Sequence, residues 1–213
     1  MRIETESYQL CNQALPVSGQ SIIGHQKENE IVVYQAYKPS IASFAVSNQV
    51  LGGSEYSYNR MSWIKPNFLW MMYRCGWGEK ENQERVLALW INKNVLEEIL
   101  SNAVRSSFDA QYYANHETWK TELNTKEVRL QWDPDHDPYG KKITRRAIQL
   151  GLKGKLLEKF GRSQINLVED ITDFVKEQKQ HVNTGRLDKL IVPVERVWNL
   201  KNTALEKRIG VHE

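Results

Sequence analysis

The stretch Tyr56–Gly78 constrains this chain more than any other, because it concentrates bulky apolar side chains around a few cations. It holds three of the seven tryptophans, Trp63, Trp70 and Trp77, spaced seven residues apart. A large aromatic side chain carries on the order of 150–250 Å² of surface, so most of this stretch must be buried in a folded domain. Three cations interrupt the apolar residues: Arg60, Lys65 and Arg74. Buried cations need partners, and an anionic ligand is one candidate.

Length and composition favour an ordinary globular domain. A chain of 213 residues with 40% hydrophobic and 26% charged residues suits one domain with a sizeable core. The net charge of +3 neither requires nor excludes an anionic partner. Two cysteines without a CxxC motif argue against a disulfide framework, and no apolar run reaches 18 residues. We therefore expect a cytoplasmic protein with no membrane partner, and the oligomeric state stays open.

The order of the predicted elements indicates an α+β fold. We predict a single compact domain over residues 31–200, preceded by an N-terminal arm, 1–30, and followed by a polar tail, 201–213. Strands are predicted over residues 31–37, 57–63, 85–91, 127–132, 145–152, 165–168 and 187–197. Helices are predicted over residues 39–48, 66–74, 93–104, 155–160 and 171–181. Hairpin-like pairs in the second half favour a mainly antiparallel or split sheet flanked by helices.

The segment RMSWIKP offers the sharpest candidate for a nucleotide pocket. Arg60 can form a forked pair of hydrogen bonds with a phosphate or carboxylate, and Lys65 can act as a point charge. Trp63 or Tyr73 can stack on a base or nicotinamide ring. The alternative is that both cations extend out of an aromatic core into water.

Lone polar residues in apolar strands add to this candidate. Gln149 lies in AIQLGL, and Gln35 lies beside Tyr34 and Tyr37 on the first predicted strand. A buried amide must be hydrogen-bonded, so Gln149 is either a structural hydrogen-bonder or a pocket residue.

Positive charge is concentrated between Pro138 and Arg162, where eight lysines and arginines face one Glu158. Such a segment can bind phosphates of a nucleic acid, or it can be a solvated surface balanced by neighbouring acids. The candidate phosphate-binding residues are Lys141, Lys142, Arg145 and Arg146.

The segment DPDHDP is a weaker candidate for a metal site. Asp133, Asp135 and His136 carry donors that suit a divalent cation, and the segment begins like an EF-hand loop. The pattern then fails, because Pro138 occupies the glycine position and Thr144 the position of the bidentate glutamate. We expect a solvated turn and no metal.

The order of four segments carries a family resemblance. YQAYKPSIASFAV, RMSWIKPNFLWMMYRCGWG, VRLQWDPDHDP and RRAIQLGL, from about residue 31 to 173, resemble domain-of-unknown-function family 4291 of bacteria and fungi. That resemblance implies the extent of the domain and no reaction.

A more distant similarity is to the ADP-ribosyltransferase-like fold, which splits NAD at the nicotinamide–ribose bond. The similarity implies that Tyr34 or Gln35, then Ser62 with Tyr58, then Gln149 occupy the three catalytic positions. The chain departs from that pattern, because the first position lacks His or Arg and the last is Gln instead of Glu.

These observations lead to three functional hypotheses. The first is an enzyme that binds NAD or a related nucleotide and transfers ADP-ribose to nucleic acid or protein, with Gln149, Ser62 and Tyr34 as catalytic residues. Its ligand-binding residues are Arg60, Lys65, Trp63, Tyr73 and Gln35. The second is a non-catalytic nucleic-acid-binding module that uses residues 138–162. The third is metal-assisted hydrolysis at Asp133, Asp135 and His136.

Overall fold

Eleven strands and eight helices follow one another along residues 1–212, the part of the chain that the computed structural model describes. The strands are β1 (Thr5–Ser7), β2 (Ile23–Lys27), β3 (Glu30–Tyr37), β4 (Ser62–Ile64), β5 (Arg85–Asn92), β6 (Ala103–Arg105), β7 (Val128–His136), β8 (Lys142–Leu152), β9 (Ile165–Asp170), β10 (Ile191–Pro193) and β11 (Glu195–Val197). The helices are α1 (Tyr8–Gln13), α2 (Pro39–Asn48), α3 (Phe68–Cys75), α4 (Lys93–Ser101), α5 (His116–Thr125), α6 (Gly154–Ser163), α7 (Thr172–Asn183) and α8 (Thr203–Ile209). The predicted α+β class is confirmed.

Strands β3 and β5 lie in the middle of a five-stranded antiparallel sheet with the order β11-β2-β3-β5-β9. Successive side chains of a strand point to opposite faces. On β3, Ile31 and Val33 accordingly pack into one core cluster, while Val32 and Tyr34 pack into a second. Burial on both faces explains why this strand is a continuous apolar run and does not alternate with polar residues.

A second sheet, with the order β4-β8-β7-β6, stands beside the first. In it β8 pairs antiparallel with both β4 and β7, whereas β6 pairs parallel with β7. The two sheets meet where Tyr34 and Lys65 exchange backbone hydrogen bonds of 2.7 and 3.2 Å. This junction connects two separate sheets, which agrees with the predicted mainly antiparallel or split arrangement, and it positions the candidate site.

Helices cover both faces of the five-stranded sheet. The apolar stripes of α2, α4 and α6 enter the first core cluster, with Ala45, Leu96 and Phe160 among their buried residues. Helices α3 and α7 enter the second cluster. No helix formed by residues 1–212 is long and apolar enough to cross a membrane.

The structure differs from the predicted elements at several short segments. The predicted strand 57–63 is reduced to β4, and the predicted arm and tail contain β1, α1, β2 and α8. Helix α5 forms where no element was predicted, and β7 runs on through Pro134 to His136 where a solvated turn was predicted. These elements depend on partners elsewhere in the chain: β2 pairs with β11, and α8 packs into the core through Leu205 and Ile209. Local patterns carry little signal for such segments.

Candidate active site

A cavity of about 470 Å³ opens at the junction of the two sheets. Side chains from β3, β4, α3, β7 and β8, and from the segment before β4, line it. We call it the central cavity, and its polar and aromatic lining includes Gln35, Tyr37, Arg60, Ser62, Trp63, Lys65, Arg74, Gln131 and Gln149. Arg60 and Gln149, which lie far apart in the sequence, therefore share one pocket.

A hydrogen-bonded group holds the β3 side of the cavity rigid. Gln35 Nε2 donates to Ser62 Oγ at 2.7 Å and to the Trp63 carbonyl oxygen at 3.3 Å. Tyr37 donates its hydroxyl to Gln35 Oε1 at 2.7 Å and lies 3.0 Å from Ser62 Oγ. Gln35 and Tyr37 are two residues apart on one strand, so they point to the same face. Burial raises the pKa of Tyr37 well above its ordinary value, so this hydroxyl stays protonated.

The aromatic wall of the cavity depends on a glycine in the facing strand. Trp63 on β4 lies opposite Gly151 on β8. A Cβ at position 151 would lie 3.0 Å from Trp63 Cε2 and 2.4 Å from the Met61 sulfur. The absence of a side chain at Gly151 therefore lets Trp63 and Met61 lie against β8 while they line the cavity.

Lys65 is the most perturbed cation of the site. Its side chain is only 5% exposed, and its ammonium donates to the Trp63 carbonyl oxygen at 3.3 Å. Within residues 1–212, no carboxylate lies within 4.0 Å of it. Burial, and then the positive charge of Arg74, lowers the pKa of Lys65 to about 7. A buried cation without a counter-ion, aimed into a cavity, is typical of a functional site.

Two exposed arginines complete the positive charge of the cavity. Arg60 lines it from the segment before β4, and Arg74 lines it from the last turn of α3. Neither forms an ion pair with a carboxylate of the described residues. The guanidinium of Arg74 lies 6.0 Å from the centre of the Trp70 ring. Two arginines and one lysine thus leave the cavity with positive charge for an anionic ligand.

The part of the cavity lining that comes from β7 and β8 is a pair of amide side chains oriented by a carboxylate. Gln149 and Gln131 face each other across β8 and β7. Gln149 Nε2 donates to Asp133 Oδ2 at 2.7 Å and to Gln131 Oε1 at 2.8 Å. An ionised carboxylate only accepts hydrogen bonds, so Asp133 fixes the orientation of the Gln149 amide. That orientation leaves Gln149 Oε1 and the Gln131 amino group free to bind a ligand.

Three of the residues predicted for the nucleotide site lie outside the central cavity: Tyr34, Tyr73, and Tyr58, whose hydroxyl donates to the Leu51 carbonyl oxygen. Tyr34 is fully buried in the core, with its ring 5.6 Å from that of Phe68 and its hydroxyl without a partner among the described residues. Tyr73 is 42% exposed and stacks on His136, with ring centres 3.7 Å apart. It lines a separate cavity of about 460 Å³ beside Tyr139.

The basic residues between 138 and 162 do not form one patch. Lys142 begins β8 and Lys153 follows its end, so a strand of 11 residues, or roughly 36 Å, separates the two groups. Arg145 is buried and its Nε donates to Asp135 Oδ2 at 2.6 Å. Lys141, Lys142 and Arg146 are exposed. Lys159 and Arg162 form ion pairs with Glu98 and Glu158.

The three candidate metal ligands have separate partners. Asp133 accepts from Gln149, Asp135 accepts from Arg145, and His136 lies against Tyr73. Among residues 1–212, no three side chains of His, Cys, Asp or Glu come close enough together to hold a metal ion.

Sequence reasoning did not assign Gln131 or Arg74 to the site. Arg74 was recognisable as a cation inside the aromatic stretch, but its position on α3 toward the cavity depends on helix packing. Gln131 can be assigned to the site only when the β7–β8 register is known, because that register shows that it lies opposite Gln149. The i, i+2 spacing of Gln35 and Tyr37 was available from the sequence once β3 was predicted.

Comparison with known proteins places the chain in a family by sequence. The family model described as a domain of unknown function, DUF4291, matches residues 21–198. No curated protein matches the chain. The matched range includes every side chain that lines the central cavity.

Proposed function

The chain belongs to the DUF4291 family, and from the geometry of its central cavity we propose that this member is an enzyme that binds NAD and transfers the ADP-ribose group. One observation carries the proposal: three strands from the two sheets direct Gln35, Ser62 and Gln149 into one cavity beside Arg60, Lys65 and Arg74. Neutral hydrogen-bonding groups and unpaired cations thus line the same space, which a ligand would fill.

The charges of the cavity favour a phosphate-bearing ligand. Of the described residues that line the cavity, none is acidic. Arg60 and Arg74 are positively charged, and Lys65 has a pKa of about 7. Arginine matches phosphate oxygens with paired N–H groups, and lysine adds a point charge. In the proposal, Arg60 and Lys65 bind the pyrophosphate.

The size of the available space favours a dinucleotide over a single phosphate. A further cavity, of about 530 Å³, adjoins the central cavity and shares Tyr37, Arg60 and Ser62 with it. Both volumes fall within the roughly 300–1,000 Å³ that is usual for small-molecule sites. An elongated ligand can extend from one cavity into the other, with its charged centre at Arg60, which lines both.

The polar groups suit cleavage of the nicotinamide–ribose bond. That reaction passes through a transition state of oxocarbenium character, which depends on positioning and electrostatic stabilisation. Trp63 offers a ring for stacking, and Ser62, already held by Gln35, offers a hydroxyl to the ribose. Gln149 Oε1, the negative end of an oriented amide, is available to a ribose hydroxyl. Tyr34 and Tyr73 have no role in this proposal.

Replacement of Arg60 tests the proposal directly. We expect Arg60→Ala to weaken the binding of NAD and of ADP-ribose about 10–100-fold, because a hydrogen bond to a charged group contributes about 1.5–3 kcal/mol. Isothermal titration calorimetry measures the affinity, and circular dichroism verifies the fold. Arg186→Ala is the matched control, since Arg186 is exposed and pairs with Asp188 outside the cavity.

Two results would overturn the proposal. One is a wild-type protein that binds neither NAD nor ADP-ribose at millimolar concentration. The other is an Arg60→Ala variant that binds both ligands as tightly as the Arg186→Ala control.

A further inference from the structure

Three polar side chains project from one face of the β7–β8 strand pair. Successive side chains of a strand alternate between its faces, so Gln131 and Asp133 share a face of β7. Gln149 lies directly opposite Gln131 on β8 and therefore shares that face. The other face carries Leu130 and Leu150, which are buried in the first core cluster. The polar face thus borders the central cavity, which both glutamines line.

The hydrogen bonds of this group determine the orientation of both amides. Gln149 Nε2 donates to Asp133 Oδ2 and to Gln131 Oε1, which uses both of its N–H groups. Gln131 therefore turns its oxygen toward Gln149 and its amino group away. Gln149 Oε1 and Gln131 Nε2 have no hydrogen-bond partner among residues 1–212, and neither atom is fully enclosed by the protein. The pair thus offers a ligand one acceptor and one donor.

An aromatic ring lies on the same face of the sheet, next to the two amides. Trp63 is opposite Gly151 in the β4–β8 register, and Gly151 follows Gln149 by two residues on β8. A Cβ at position 151 would lie only 3.0 Å from Trp63 Cε2, so the indole ring covers this position. Two residues along a strand correspond to roughly 7 Å. One small planar ligand can therefore contact both the indole of Trp63 and the amide of Gln149.

A primary carboxamide attached to an aromatic ring matches this arrangement. Its carbonyl oxygen can accept from the Gln131 amino group, and its own amino group can donate to Gln149 Oε1. Its ring can stack on Trp63. The nicotinamide of NAD is such a group. A carbonyl oxygen has two lone pairs, so Gln149 Oε1 can accept from the carboxamide and from a ribose hydroxyl.

Adenine, at the other end of NAD, also presents a donor beside an acceptor. The proposed reaction favours the nicotinamide end, because the bond that breaks lies in the central cavity beside Ser62 and the pyrophosphate lies at Arg60. The adenosine then extends past Arg60 into the adjoining cavity. The described lining of the adjoining cavity contains neither Gln131 nor Gln149.

We propose that Gln131 and Gln149 together bind the carboxamide of nicotinamide and thereby select NAD by this group. The inference rests on the proposed function, because it names the part of NAD that lies in the central cavity. Gln131 Nε2 donates to the carboxamide oxygen, and Gln149 Oε1 accepts from the carboxamide N–H.

Acetylpyridine adenine dinucleotide tests the contact with Gln149. This analogue keeps the ring and the carbonyl oxygen of NAD but has a methyl group in place of the amino group. Gln149 Oε1 then has no partner, so we expect the wild type to bind the analogue at least about fivefold more weakly than NAD. Gln149→Met removes the acceptor and should bind both dinucleotides with equal affinity. Equal affinities in the wild type, measured by calorimetry, would overturn the inference.

Gln131→Met tests the donor without a change of charge. We expect its affinity for NAD to fall at least about fivefold, whereas ADP-ribose, which lacks nicotinamide, should bind as tightly as to the wild type. Gln180→Met is the matched control, because Gln180 is exposed on α7 and does not line the cavity. Circular dichroism verifies the fold of both variants. An equal loss of affinity for NAD and ADP-ribose would overturn the inference, because it would assign the pair to the adenine that both ligands carry.

Binding of free nicotinamide distinguishes this inference from the proposed function. Saturation-transfer NMR detects weak binding of nicotinamide to the wild type and to Gln131→Met. A wild type that bound nicotinamide through Gln131, but neither NAD nor ADP-ribose, would support the carboxamide site and overturn the proposed function. A wild type that bound NAD and ADP-ribose, with neither ligand sensitive to Gln131→Met, would overturn the inference while the proposed function stood.

Discussion

Lys65 has two properties that are unfavourable for stability: its charge is buried, and no carboxylate of the described residues pairs with it. Its ammonium is buried beside the positive charge of Arg74, and its one hydrogen bond runs to a backbone carbonyl. Water solvates an ammonium better than this buried environment does. The folded protein therefore favours the neutral amine of Lys65, and its pKa falls to about 7. Such a residue lowers stability and is poised to bind an anion.

The stability effect of Lys65 has a defined pH window. The pKa is about 10.4 in an unfolded chain and about 7 in the folded protein, so the unfolded state binds more protons between these values. The free energy of unfolding therefore rises with pH from 7 to 10.4. We expect Lys65→Met to raise the free energy of unfolding by on the order of 4 kcal/mol at pH 7. The variant should also lose the increase of that free energy between about pH 7 and 10.4. Urea denaturation at several pH values measures the effect.

The exposed Lys80 provides the matched control for that experiment. Lys80→Met should leave both the stability and its pH dependence within about 0.5 kcal/mol of the wild type. A Lys65→Met variant less stable than the wild type at pH 7 would contradict the argument, because it would mean that the ammonium is well solvated or paired.

Ligand binding should show the same titration. An anion that contacts Lys65 stabilises the protonated form, so binding takes up a proton when the pH exceeds 7. We expect the Kd of ADP-ribose to rise by up to about tenfold per pH unit above 7. Calorimetry in buffers of different ionisation enthalpy measures the proton uptake, which Lys65→Met should abolish. A Kd independent of pH between 7 and 9 would show that the ligand does not reach Lys65.

Among the elements, α3 matters most for the site because it carries Arg74 and Met71 to the cavity. Two backbone N–H groups in its first turn donate hydrogen bonds to side chains: Trp70 N–H to Asn67 Oδ1, and Phe68 N–H to Glu195 Oε1, both at 2.7 Å. Gly76 ends it in the left-handed conformation, at φ 58°, which glycine adopts without strain. A helix of eight residues depends on such contacts to form.

The carboxyl that caps α3 gives a second pH-dependent prediction. Burial raises the pKa of Glu195 to about 8, although the Phe68 N–H opposes that shift. The folded state thus binds more protons than the unfolded state between pH 4.3 and 8, so stability falls as the pH rises through that range. The decline in stability caused by Glu195 is about 1.4 kcal/mol per pH unit at most. We expect Glu195→Gln to reduce this decline and to be more stable than the wild type at pH 8.

Chemical denaturation at pH 5 and pH 8 measures that difference. The glutamine oxygen still accepts from the Phe68 N–H, so the helix cap is preserved in the variant. Equal stabilities of the variant and the wild type at both pH values would show that Glu195 ionises in the folded protein as readily as in water.

At the scale of the whole molecule, one buried ion pair ties the β7–β8 hairpin to the N-terminal segment. Arg145 Nε donates to Asp135 Oδ2 at 2.6 Å, and Arg145 Nη1 donates to Asn12 Oδ1 and to the Pro16 carbonyl oxygen at 3.3 Å. Both charged side chains are at most 6% exposed. The arginine that the sequence placed among phosphate-binding candidates therefore joins distant parts of the fold.

Breaking this pair should be costly. Arg145→Ala leaves Asp135 buried without a counter-ion, and we expect a loss of about 3–5 kcal/mol, or roughly 6–20 °C in Tm. Arg146→Ala is the control: the next residue along a strand points to the opposite face, and its loss should cost at most about 0.5 kcal/mol. Differential scanning calorimetry measures both, and Arg145→Ala combined with Asp135→Asn should recover part of the loss. A Tm unchanged by Arg145→Ala would contradict this account.

The sequence alone determined the local features: the α+β class, the buried strands β3 and β5, the helices α2 and α3, and the stretch that supplies Arg60, Ser62, Trp63 and Lys65. These follow from side-chain periodicity and from turn residues, which act over a few positions. Tyr34 shows the limit of that reasoning, because its strand was predicted correctly but its side chain lies on the face opposite Gln35, buried in the core.

Only the tertiary structure decided which polar residues meet. The junction between Tyr34 and Lys65 brings β3 and β4 together, and the β7–β8 register sets Gln131 opposite Gln149. The lowered pKa of Lys65 and the burial of Arg145 likewise depend on contacts between segments far apart in the chain. Strand pairing and burial depend on packing between distant segments. The pattern of residues within one segment therefore does not predict them.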